Sequence, residues 1–333
     1  MNSLPDGSFK DQKTLLTVFG ALEIAGGAIC LLFVPLMLLG QVAARYSPHT
    51  PVYPMKMMIA PIFLYLLLGA GAIWLGVGSI LAKRWARALL LILGWMGLVM
   101  GVFSALFFIL GFGAMKSLMM ESMSQAQAQS GSKVQIPEAM IYFILGFSAL
   151  FSFFIYVVIP GALVLVYRGK DVKRTCETRN PAPSWTDACP LPVLALVLLN
   201  ACALFSLPWI ACYSFIIPIF GVIFHGAAGA AIWAFITVVA LALACGLYRL
   251  QKWAWAGTLL IYAFFGLSGV VTFHRIDFSE MYRLMGMPDA LIPHSLDLFF
   301  KSPAYTAMLG FGFLVWIGYV LWVRKYFFGK SAE

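Results

Sequence analysis

Hydrophobic positions in this 333-residue chain fall in eight long runs separated by short polar breaks. The runs cover about Leu15 to Gly40, Met57 to Leu81, Ala86 to Phe112, Ala139 to Tyr167, Leu191 to Cys212, Phe220 to Tyr248, Ala254 to Phe273 and Ala304 to Val323. Each is long enough to cross a hydrocarbon layer roughly 30 Å thick as an α-helix. Only helices or closed barrels satisfy backbone groups in lipid, and runs this long and continuous are not barrel strands. The first run is about twice the length of a signal-peptide core, so it reads as an uncleaved span. Only AKRW, Ala82 to Trp85, separates the second run from the third, which forces an antiparallel hairpin. The polar stretch Lys116 to Glu138 reads as an outer loop, and Arg168 to Pro190 as an ordered-to-irregular linker outside the membrane.

The pattern occurs twice. GSILAKRWARALLLI (Gly78 to Ile92) returns as GLYRLQKWAWAGTLL (Gly246 to Leu260), placing Trp85 on Trp253 and Gly78 on Gly246 at a spacing of 168. MKSLM (Met115 to Met119) returns as MYRLM (Met281 to Met285), and Pro137 as Pro303. Ordered anchors with one small gap are what a duplication leaves behind. The fold expected is all-α: a four-helix repeat over residues 1–167, a linker over 168–190 and a second repeat over 191–333. An even number of spans in each half puts both copies in the same sense, related by a pseudo-two-fold axis along the membrane normal.

Composition and charge agree with that class. Apolar residues make up 62% of the chain and charged ones 11%, with a mean hydropathy of +0.92, far from a soluble domain. Fifteen Lys and Arg residues fall on the side that holds both termini and the linker, against seven on the other. That bias places the termini and linker in the cytoplasm. It also accounts for the net charge of +9, so nothing is left over to suggest nucleic-acid binding. The six cysteines are scattered, with no CxxC, and suggest neither a disulfide framework nor a zinc site. No cofactor motif is present; the one partner implied is the lipid bilayer.

Candidate chemistry is sparse. Glu23 is the one acidic residue inside a predicted span, and a charge at mid-membrane costs on the order of 2.5–3.5 kcal/mol. It lies roughly 12 Å in from Leu15, and Asn200 roughly 13 Å in from Leu191 on the equivalent helix. The two could meet near the axis as a protonatable or substrate-binding site, or Glu23 could be a neutral carboxyl joining helices through Asn200 or a backbone carbonyl. Met115, Met119, Met281, Met285 and His294 lie on the outer side, where thioether and imidazole would suit copper. Their helical spacing also fits an amphipathic helix lying on the outer leaflet in each half. GLSG (Gly266 to Gly269), with His225 on a neighbouring span, matches the short motif of rhomboid-type intramembrane proteases, although the order is reversed and small residues commonly serve helix packing. Gly26, Gly27, Gly69, Gly71, Gly76, Gly78 and Gly161 read as packing positions. Thr186 or Asp187 reads as a helix cap.

GALEIAGG (Gly20 to Gly27), LAKRWAR (Leu81 to Arg87) and SWTDACPLPVLAL (Ser184 to Leu196) resemble a loose group of uncharacterised bacterial multi-pass membrane proteins with a Gly-x-Leu-Glu/Gln-Ile helix and a basic Trp-Ala-Arg turn. The resemblance implies a bacterial inner membrane and no particular activity. The second copy replaces Lys83 by Gln251 and Arg87 by Trp255, so a role of the basic turn is not shared. The reading is a non-enzymatic integral membrane protein. The specific alternatives are a small-solute or ion transporter near Glu23 and Asn200, an assembly partner acting through its linker, and, more remotely, an intramembrane serine protease through Ser268.

Overall fold

The computed structural model of the chain describes residues 10–46, 55–130, 137–287 and 300–328. Eight helical stretches among them are long and apolar enough to cross a membrane. The first half holds α1 (Lys13–Tyr46), α2 (Met55–Ile80) and α3 (Arg84–Ser130). Its fourth span is α4 (Glu138–Phe153), a π-helical turn at Phe154–Val158, and α5 (Ile159–Tyr167). The linker carries α6 (Lys170–Arg179) and a 3₁₀ turn at Trp185–Asp187. The second half holds α7 (Leu191–Cys212), β1 (Ile217–Ile219), β2 (Val222–Phe224), α8 (Gly226–Tyr248), α9 (Lys252–Arg275), α10 (Phe278–Leu284), α11 (Pro303–Val323) and α12 (Lys325–Phe328).

Glycine sets the closeness of α1 and α2. Gly20 faces Gly76 and Gly27 faces Gly69, seven residues apart on each helix. A Cβ built at Gly20 would lie 2.6 Å from the Gly76 carbonyl oxygen, and one built at Gly27 would lie 2.7 Å from that of Gly69. Lipid offers no hydrophobic drive for helix association, so close backbone approach of this kind supplies it through van der Waals contact. Gly26 and Gly71, also expected at helix contacts, face open space.

The turns after α2 and α8 have the same hydrogen bonds. Lys83 N–H donates to Gly78 O and Ala82 N–H to Ser79 O; 168 positions on, Gln251 N–H donates to Gly246 O and Leu250 N–H to Leu247 O, all at 2.8–2.9 Å. This is the Schellman arrangement, with Ala82 (φ 50°) and Leu250 (φ 54°) in the left-handed region. In each turn the following tryptophan folds back, so that a Cβ on Gly78 would meet the Trp85 ring at 2.6 Å and one on Gly246 the Trp253 ring at 2.7 Å.

Four segments differ from the sequence expectations. The third span does not stop at Phe112: α3 runs unbroken for 47 residues, roughly 70 Å. The segment expected as a separate surface helix is its extension, because no proline interrupts it and its serines bond back onto helical carbonyls, as Ser117 does to Gly113 O. The corresponding stretch of the second half is a short separate helix, α10, begun by Asp277 accepting from Ser279 and Glu280 N–H. The sixth span starts at Gly226 and not Phe220. Pro218 denies the preceding stretch a helix, and the apolar run folds as a hairpin pairing Ile217 with Phe224 and Ile219 with Val222. Its two-residue turn, Phe220 (φ 49°) and Gly221 (φ 88°), has the positive φ at both positions of a type I′ turn.

The fourth difference is the linker, which is helical and docked. Asn180 receives Lys83 Nζ at 2.9 Å and donates to the Leu81 and Ala82 carbonyls that end α2. Asp187 pairs with Arg84 at 2.9 Å and accepts from Ser184 N–H at 2.7 Å, so it closes a capping box whose N-cap is Ser184; Thr186 is buried with its hydroxyl unpartnered among the described residues. Arg179 pairs with Asp11 and holds that carboxyl below its ordinary value. Under α6, burial pushes the Cys176 thiol up to about 11.

Within each half, helices consecutive along the chain pack together: α1 with α2, α2 with α3 and α3 with the fourth span, then α7 with α8, α8 with α9 and α9 with α11. Across the halves, α2 packs against α7, and α3 against α7 and α11. A two-fold exchanging the halves would also pair α8 with α1 and α9 with the fourth span; among the described residues these are not packed pairs. These contacts do not by themselves show the expected axis.

Gly76→Val should cost about 2 kcal/mol or more by forcing α1 from α2. Gly71→Ala, into open space, should stay within about 0.5 kcal/mol of the parent. Unfolding of the purified protein in mixed detergent and SDS measures both; equal effects would remove the account of the α1–α2 contact.

Candidate functional site

Glu23 belongs to a buried row of polar groups joining three helices. Tyr167, the last residue of α5, donates to Glu23 Oε1 at 2.9 Å. Its oxygen lies 2.6 Å from Ser79 Oγ near the end of α2, and Ser79 reaches the Leu16 carbonyl of α1 at 3.0 Å. Nearby, Lys13 Nζ donates to the carbonyl of Ile80. The row has three links, and its two hydroxyls supply two protons; a proton on the Glu23 carboxyl would supply the third. Glu23 Oε2 is buried with no partner among the described residues.

Asn200 lies elsewhere. Its amide donates to Leu196 O at 2.8 Å and to the Tyr262 hydroxyl of α9 at 3.3 Å. The structure thus gives Glu23 and Asn200 different tyrosines and does not bring them together, because α2, which packs against both α1 and α7, stands between their helices. Sequence reading had taken Tyr167 only as the end of a span and passed over Ser79 and Tyr262. A hydroxyl inside an apolar run was the available signal, and without register it names no partner.

Tyr262 also borders a cavity of about 590 Å³ between α3, α7, α9 and α11, where the halves meet. Phe103, Leu199, Gly269, Gly312 and Trp316 are among its walls, and the lining is almost wholly apolar. Two features keep it open. A Cβ on Gly269 would meet nothing within 4 Å, so this wall is set back. Gly266 is pressed so close to the Phe313 ring that a Cβ there would lie 2.0 Å from it. The volume falls within the roughly 300–1,000 Å³ of small-molecule sites. With the Tyr262 hydroxyl already bonded to Asn200, the cavity suits an apolar occupant.

Ser268 is engaged in structure. Its hydroxyl accepts from Phe220 N–H at 3.0 Å, and Thr272, one helical turn on, accepts from Gly221 N–H at 3.1 Å. The two side chains hold the turn of the β1–β2 hairpin against α9. His225 is exposed at the start of α8 and makes no hydrogen bond to Ser268 among those described. Met115 and Met119 lie on the α3 extension and Met281 and Met285 at α10; α3 and α10 are not a packed pair, and His294 lies outside the described residues. Among the described residues no three His, Cys, Asp or Glu side chains gather as metal ligands.

No family model, curated protein or solved structure matches the chain.

Ser268→Ala should leave the Phe220 N–H unpartnered and cost about 1–3 kcal/mol. Thr272→Val should act alike through Gly221. Unfolding of each purified variant in denaturing detergent tests this, and unchanged stability in both would show that the hairpin is held by other contacts.

Proposed function

We propose that this chain is a non-enzymatic integral protein of a bacterial cytoplasmic membrane, with both termini and the linker on the cytoplasmic side. In this reading two tandem four-helix units, the products of a duplication, enclose between them a binding site for a hydrocarbon chain of lipid. One observation carries it: the apolar cavity of about 590 Å³ at the junction of the units. The glycines at its walls keep it open, and the surrounding solvent is itself hydrocarbon, so a chain enters without crossing water. The matching Schellman turns support the duplication, and the excess of Lys and Arg at these turns and the linker supports the orientation.

A second reading rests on a different observation. Glu23 Oε2 is buried without a partner among the described residues, and the Glu23–Tyr167–Ser79 row is one proton short. Intramembrane carboxyls in such rows are the groups through which transporters take up and release protons, so Glu23 is the residue on which proton-linked movement of a small solute or ion would turn. The partnership with Asn200 forms no part of it.

Two measurements separate these readings. Gly269→Leu should fill the cavity, leave unfolding stability within about 0.5 kcal/mol, and lower the immobilised fraction of a phospholipid with a spin-labelled chain by about 10-fold, the loss from a contact worth roughly 1.4 kcal/mol. Equal immobilisation by parent and variant would overturn the hydrocarbon site. For the second reading, Glu23→Cys in a chain with its native cysteines replaced should react with a membrane-impermeant thiol reagent from one side. No labelling from either side, in folded protein, would make Glu23 a packing contact.

A further inference from the structure

The two equivalent turns end in opposite electrostatic situations. In the first half the cations are taken up by the protein: Lys83 by Asn180 and Arg84 by Asp187, while Arg87 is half-buried. In the second half Lys252, Arg324 and Lys325 are exposed and none has a carboxylate partner among the described residues. Along the sequence, residues 188–276 and 298–332 contain no Asp or Glu, and Glu333 lies outside the described residues. Aromatic rings hold these cations. Lys252 Nζ and Arg324 Cζ each lie 5.3 Å from the centre of the Phe328 ring, which puts the two heads within about 11 Å of one another. Arg324 is also 5.9 Å from Trp255, and Lys325 is 4.2 Å from Trp322. Trp255 is fixed in turn, its indole N–H donating to Val320 O at 2.8 Å.

Rings flanking the end of a span sit at headgroup depth, and cations over their faces are held with little freedom left to lose on binding. A guanidinium within about 11 Å of an ammonium group, with no carboxylate partner among the described residues, matches a phosphate, and Lys325 follows Arg324 directly in sequence. The patch is also placed relative to the cavity. Tyr262 lies ten residues along α9 from Lys252, and Trp316 eight residues before Arg324 on α11, each roughly 12–15 Å away along the same helices. One phospholipid spans that distance, with its phosphate at the patch and a chain in the cavity.

We propose that Lys252, Arg324 and Lys325 form the headgroup site for an anionic phospholipid whose chain occupies the cavity between the halves. The inference rests on the hydrocarbon reading of the cavity and adds the ligand's charge class and polar contacts. The test offers the purified full-length chain equal amounts of phosphatidylglycerol and phosphatidylcholine with identical chains, and counts retained lipid by native mass spectrometry. The parent should retain the anionic lipid about 10-fold over the zwitterionic one, as a few cations near a headgroup predict. K252Q/R324Q/K325Q should retain as much lipid in total but with a preference near one. R168Q/K170Q/R174Q, which removes the same charge from the linker side, should keep the preference, and K252R/R324K/K325R should restore it if the glutamine variant fails to fold.

Retention of lipid without preference by the parent sinks the headgroup site and leaves the cavity reading standing. Retention of neither lipid sinks both. Equal loss of preference in the patch and linker variants would show diffuse charge and no site. Inorganic phosphate or glycerol phosphate in the millimolar range should not displace the lipid; displacement would assign the patch to a soluble phosphate and overturn the lipid proposal.

Discussion

A backbone polar group surrounded by hydrocarbon has no water to turn to, and the placement of polar side chains in this protein follows from that constraint. Helices meet it internally except where they end. At the end of α2 the carbonyls of Leu81 and Ala82 would be stranded, and Asn180 of the linker supplies both with donors. Where the chain leaves helix altogether, in the β1–β2 hairpin, the two turn amides are received by Ser268 and Thr272. Residues that look like isolated candidates for chemistry are largely spent on such demands. The Glu23 row is the exception, since it joins three helices and still leaves one carboxyl oxygen unmet.

The same constraint explains how two turns of one geometry come to differ in use. Backbone satisfaction fixes the Schellman bonds and the glycine beneath the tryptophan in both copies. It places no demand on the side chains that point away. In the first copy those are Lys83, Arg84 and Arg87, gathered under the linker; in the second they are Gln251 and Trp255, the latter bonded to α11. The first turn is an internal clasp, while the cations beside the second have no carboxylate partner among the described residues.

The span positions were legible because twenty-residue apolar runs have one physical solution in lipid. The likeness of the two turns was legible at Trp85 and Trp253, where a bulky ring must fit over a glycine at fixed spacing. The hairpin was missed because Ile217 to Phe224 is as apolar as a span, and hydropathy cannot separate the two; Pro218 and the Phe-Gly pair were the local signals. The length of α3 was missed because Lys116, Ser117 and Glu121 look like the edge of a membrane, and polarity marks where the solvent changes, not where a helix ends. Glu23 was found from its charge, whereas its partners Ser79 and Tyr167 depend on helix rotation, which hydropathy does not encode. The cavity depends on shape alone, on where Gly269 stands back and where Gly266 does not, and a one-dimensional pattern carries none of that.

The unbroken α3 has a mechanical consequence. It touches α2, the fourth span, α7 and α11 within the membrane, and from Phe112 to Ser130 it continues for roughly 27 Å as a rigid rod. It is braced near its emergence by Lys116, which pairs with Glu138 and reaches the Tyr142 hydroxyl at 2.8 Å. A rod fixed among four partners at one end is a lever. A tilt of about 10° at its packed end would sweep the far tip through roughly 5 Å. Any tilt of the helix that walls the cavity with Phe103 would therefore be magnified at its far end.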